Sequence, residues 1–103
     1  MLHLVTATHN PEACPAAFDA AKEIALPGIS RLANGDMPPG VTLVGAWVNM
    51  PGHALYAVVD APNAHEIVDF CMSAGFGAYS TVNVTPVVEI ASLHRRLLAP
   101  RTR

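Results

Sequence analysis

Charge is what this chain has least of: only 14% of its 103 residues are charged, against 51% hydrophobic. That balance excludes an intrinsically disordered segment. Long apolar runs are missing too. None approaches the ~18 residues that a bilayer span requires, so no transmembrane segment is expected. The opening residues Met1-Leu2-His3-Leu4-Val5-Thr6 lack a basic region and a cleavage site. No secretory signal is read there, and the cytoplasm is the expected compartment. Cysteine is limited to Cys14 and Cys71, which cannot form a disulfide framework. There is no glycine-rich phosphate loop, paired-carboxylate signature or Ser-His-Asp ordering, so no nucleotide cofactor is expected.

Basic charge is absent from most of the length. Residues 1–92 set Lys22 and Arg31 against all eight acids, a net of −6, whereas residues 93–103 carry four arginines. An acidic body argues against nucleic acid as a partner, because phosphates need a basic surface. The length suits one domain, read as residues 1–92 followed by a basic tail at 93–103. A small, apolar chain with few charges commonly hides surface in an oligomer, and a homodimer is expected.

What is present is a series of strands and helices. Leu2–Thr8 is β-branched and short enough for a strand. An Ala-rich helix is predicted from Pro15 to Leu26, with Cys14 as its N-cap and Asn10-Pro11-Glu12-Ala13 as a lead-in turn. The competing start, Asn10 as cap and Pro11 first, leaves Pro15 inside the helix against the carbonyl four residues back. Pro27-Gly28 is expected to interrupt this helix, with one more turn before Asn34-Gly35. Val41–Met50 and His53–Asp60 form a hairpin around Pro51-Gly52, read as a type II turn with φ > 0 at Gly52. A helix follows from Ala61-Pro62-Asn63 to about Ala74, then a strand over Ser80–Val88, where Pro86 marks an edge or a bulge. Ile90, Leu93 and Leu97 suggest a short terminal helix.

The order βαββαβ specifies an α+β, ferredoxin-like fold: a four-stranded antiparallel sheet with helices on one face. Along the second strand, Val41, Leu43, Gly45 and Trp47 are expected on one side and Val44, Ala46 and Val48 on the other. Both sides are apolar, so the bare sheet face needs a cover, and a second copy of the chain is the simplest.

This topology gathers reactive residues. The end of strand 1, the end of strand 2 and the start of strand 3 meet at one edge. His9, Cys14, Met50 and His53 therefore converge, and the loop around Tyr79 arrives at the same end. One reading is a transition-metal site built from His9, Cys14 and His53 with Met50 as a weak fourth ligand. Imidazole and thiolate suit zinc, copper, nickel or iron, and a thioether tilts the set toward copper. Its role would be metal handling or metal-assisted catalysis. A second reading makes Cys14 a reactive thiol, its pKa lowered at a helix N-terminus and a histidine its base. A third is a cofactor-independent enzyme whose small-molecule pocket is shaped by His3, Trp47 and Tyr56, with Asn49 and Tyr79 nearby. A fourth is a non-catalytic interaction module recruited through the basic tail. Structural roles compete with each: His9 as a turn residue, Cys14 and Cys71 as small buried hydrophobes, His3 as a buried, hydrogen-bonded histidine.

The segments Thr8-His9-Asn10-Pro11-Glu12-Ala13-Cys14-Pro15, Gly40-Val41-Thr42-Leu43-Val44-Gly45-Ala46-Trp47 and Met50-Pro51-Gly52-His53 resemble the dimeric α+β barrel superfamily, in particular its small stand-alone bacterial members. The resemblance covers residues 1–92. It implies a dimer with a small-ligand pocket between helices and sheet or inside the barrel. Superfamily relatives include cofactor-free monooxygenases, muconolactone-isomerase-like enzymes, haem-degrading enzymes and nickel-binding proteins, so it implies no one reaction.

Overall fold

Alternation of β-branched and small residues builds the first strand, β1 (Leu2–Thr8), whose odd positions His3, Val5 and Ala7 are buried. A computed structural model describes residues 1–100 and adds α1 (Asp19–Asn34), β2 (Thr42–Asn49), β3 (Ala54–Asp60), α2 (Ala64–Ser73), β4 (Thr81–Val87) and α3 (Ile90–Leu98). The sheet order is β2-β3-β1-β4, and every neighbouring pair is antiparallel. This is the expected α+β, ferredoxin-like arrangement. Arg101 and Arg103 of the basic tail lie outside the described residues.

The core fills one sheet face. Val5, Ala57 and Val59 meet Ile67, Phe70 and Cys71 of α2, with Ala74 and Phe76 closing the end. Burial raises the Cys71 thiol to about 11, so it stays protonated and behaves as a small hydrophobe. Asn63 caps α2 by accepting from the Glu66 N–H at 3.1 Å. Pro86 sits in β4, an edge strand, where its missing N–H interrupts no interior ladder.

Four local expectations are corrected, the last two in the hairpin. First, α1 starts at Asp19, not Pro15. Asn10-Pro11 opens a 3-10 turn over Pro11–Ala13, Cys14 ends it in an extended conformation, and a further turn closes on the Cys14 carbonyl. Phe18, extended at φ −129°, then separates that turn from the helix. Cys14 is not a helix N-cap, and the dipole argument for an activated thiol loses its basis.

Second, Pro27-Gly28 does not break α1, which runs on to a left-handed Gly35 at φ +66°. Pro27 is exposed, so the carbonyl it leaves unbonded faces water. Gly28 faces inward, where a Cβ would stand 2.6 Å from the Ala74 carbonyl oxygen and 2.9 Å from the Phe76 ring. The dipeptide serves close packing of α1 on the α2 terminus.

Third, the hairpin turn is not type II. Gly52 keeps a negative φ, and the left-handed residue is His53 at φ +51°. The His53 N–H donates to the Met50 carbonyl at 3.3 Å. Asn49 Oδ1 accepts from the Gly52 N–H at 3.0 Å, and a Cβ on residue 52 would collide with that amide. In β2 a bulge between Leu43 and Gly45 also splits the expected alternation. Val41 joins the core and Leu43 packs on it. Trp47 pairs with Tyr56 on the open face, its ring over Gly45.

That open face carries Leu4, Tyr56 and Trp47, exposed at 37%, 37% and 59%. The terminal helix α3 buries none of its side chains. The sequence boundary at 92/93 falls within α3. No helix among the described residues is long and apolar enough to cross a membrane.

Candidate metal centre

Strand parity and one turn bring the site together. His9 follows Ala7 on the buried side of β1, and His53 precedes β3 on the other side of the same ladder. Their rings lie edge to face, centroids 5.2 Å apart. Cys14 is delivered by the 3-10 turn and is buried. Ligand atoms of His9, Cys14 and His53 all lie within 4.8 Å of one another. Tetrahedral bond lengths of about 2.0–2.3 Å imply ligand separations of roughly 3.3–3.8 Å. Small side-chain rotations close that difference.

Two polar atoms of this arrangement lack partners. His9 Nε2 and His53 Nδ1 are buried and have no hydrogen-bond partner among the described residues. Buried polar atoms ordinarily find partners, so two orphans within one cluster suit a shared proton donor or ion. The pKa of His9 is lowered, first by burial and then by the nearby His53. Both causes favour the neutral imidazole that a metal requires.

A cavity of about 200 Å³ adjoins the three side chains and also takes in Asn49, Met50 and Tyr79. Met50 is more than half exposed at the turn and forms part of the wall. Burial raises the Tyr79 phenol's pKa, and the neighbouring Ser80 hydroxyl partly offsets this. Tyr79 is also the last link of an aromatic series from the core. Phe70 to Phe76, Phe76 to Tyr79 and Tyr79 to His9 are spaced at 6.5, 6.1 and 6.1 Å.

The remaining pocket candidates are not brought together. His3 lies on the helix side, opposite Val59, whereas Tyr56 and Trp47 share the open face. None of these three lines the cavity with Asn49 and Tyr79. His3 is fully buried, and neither ring nitrogen has a partner among the described residues, so the expected hydrogen bond is not found. Sequence reasoning missed Ile29, Val48 and Phe76 as cavity walls. Ile29 was obscured by the assumption that α1 stops before it.

Fold and site together define a small α+β domain carrying a two-histidine, one-cysteine cluster beside an apolar cavity. The family model described as a domain of unknown function, DUF3303, matches residues 1–99. The chain belongs to that family. No curated protein matches it significantly.

Proposed function

We propose that this protein binds a transition metal through His9, Cys14 and His53, as a cytoplasmic homodimer of the dimeric α+β barrel type. The observation that carries the metal reading is the clustering of three ligand atoms within 4.8 Å from positions 9, 14 and 53. The orphaned ring nitrogens support it. Two imidazoles and one thiolate suit zinc, copper, nickel or iron, and the Met50 thioether at the cavity wall favours copper. Three protein ligands leave a coordination position for a further molecule, as in catalytic sites and unlike closed structural ones. The role is metal handling or metal-assisted catalysis.

Support for the dimer comes from the exposed apolar open face, and the two free thiols fit a reducing compartment. The test is metal analysis of protein purified without an affinity tag, followed by thermal unfolding with added zinc, copper or nickel. Stoichiometric metal and a raised melting temperature, both lost in His9→Ala and Cys14→Ser, are expected. No bound metal and no thermal shift would overturn the reading.

A further inference from the structure

The position left free on a three-liganded ion has a neighbour of definite chemistry. The adjoining cavity is floored by Ala7 and Leu55 and walled by Ile29, Val48 and Phe76. Among the described residues, no lysine, arginine, aspartate or glutamate lines it. A divalent ion held by two neutral imidazoles and one thiolate retains a single positive charge. Nothing in the lining neutralises that charge, and nothing there would hold a second negative charge.

We propose that the site takes a compact apolar organic molecule bearing one monoanionic metal-binding head group. The head occupies the free coordination position, and the apolar body fills the cavity. This rests on the metal-binding reading above. Size supports it: about 150 Å³ of apolar space is enough to hold benzene, so about 200 Å³ accommodates one ring with a small substituent. Polarity supports it too. Asn49 Oδ1 accepts from the Gly52 N–H, and the polar hydrogens left in the lining, on the Asn49 amide nitrogen and the Tyr79 hydroxyl, are donors suited to an anionic head group. The Met50 thioether is a weak donor to most divalent ions and yields to an anion.

The experiment uses the full chain loaded with Co²⁺, whose visible spectrum reports its ligands. Cobalt is titrated first. Benzohydroxamate and acetohydroxamate are then compared; they share a monoanionic head and differ in the ring. Benzohydroxamate is expected to bind at least about tenfold more tightly, because only its ring removes apolar surface from water in the cavity. Ile29→Trp, which fills the cavity from α1, is expected to abolish that preference while Co²⁺ affinity stays within about twofold. Val48→Trp, on the exposed edge strand, gives the same reading should the first variant not fold. Bound cobalt with equal affinity for the two hydroxamates, or a preference that survives both substitutions, would overturn the ligand proposal and leave the metal site standing. Failure to bind cobalt and, in the same titration, zinc, copper and nickel would overturn both.

Discussion

The backbone N–H of His9 donates to the carbonyl of His53 at 3.1 Å, one rung beyond the last β1–β3 pair, Thr8 with Ala54. The two imidazoles are therefore registered by the sheet ladder itself. His53 reaches this place at φ +51°, a left-handed conformation that costs residues other than glycine roughly 1–3 kcal/mol and in which asparagine, aspartate and histidine are the most frequent of them. Strain of this kind persists where surrounding structure holds it, and here it sets one candidate ligand against another.

Replacing the residue while keeping the backbone separates the two roles. Asparagine accepts the left-handed region readily. His53→Asn is expected to unfold in urea within about 1 kcal/mol of the parent protein, or slightly later. It should lose most of the stabilisation that added metal gives the parent. Urea titrations with and without zinc measure both quantities.

The lowered pKa of His9 sets a pH dependence. An unfolded histidine titrates near 6.5, above the folded value, so between the two the unfolded chain binds more protons. The contribution from neutral His9 is complete above about pH 6.5 and is lost as pH falls through the folded pKa. Metal-free protein should therefore melt at progressively lower temperature on acidification below pH 6.5. His9→Gln should flatten this slope, and melting curves across that range check it.

Much of this was legible beforehand because antiparallel topology converts sequence order into neighbourhood. Once βαββαβ was read, His9 and His53 had to meet, since their strands pair directly. Cys71 was legible through its spacing from Ile67 on one helix face. What was not legible depended on contacts distant in sequence. Gly28 looked like a helix breaker, yet its small size answers to Ala74 and Phe76, more than forty residues away. The β2 bulge turned Trp47 and Leu43 to opposite faces, which a strict period of two cannot express. The αL position falls on His53 instead of Gly52, in a turn where the Asn49 side chain accepts from the Gly52 N–H, a contact that the Pro-Gly pair alone does not reveal.

Gly28 gives a direct stability test. Alanine there would put a methyl group 2.6 Å from the Ala74 carbonyl oxygen, which is backbone and cannot swing aside. Gly28→Ala is normally helix-favouring, by roughly 1 kcal/mol. Overpacking costs about 1–3 kcal/mol and outweighs it. A net loss of stability in chemical denaturation is expected, whereas the same substitution at a solvent-facing helical glycine would stabilise.

Truncation tests the boundary between body and tail. Among the described residues α3 has no buried side chain and none in the core, so removing residues 93–103 is expected to leave the core intact. The shortened chain is expected to retain its far-UV circular dichroism, apart from the lost helical turns, and to melt within a few degrees of the full chain. A large fall in melting temperature would place α3 within the folding unit.

The open sheet face offers the last test. Trp47 and Tyr56 form a cross-strand pair there, with Leu4 on the same face of β1. Since Trp47 lies outside the core, Trp47→Arg should leave the fold intact while placing a charge in the centre of the proposed dimer contact. Light scattering coupled to gel filtration is expected to report twice the 10.8 kDa chain mass for the parent and a single chain for the variant. Circular dichroism of the two should coincide. The metal cluster uses the opposite side of the sheet and residues of one chain, so the monomeric variant is expected to bind one metal per chain with unchanged stoichiometry. A parent protein that is already monomeric would remove the dimer and leave the metal reading untouched.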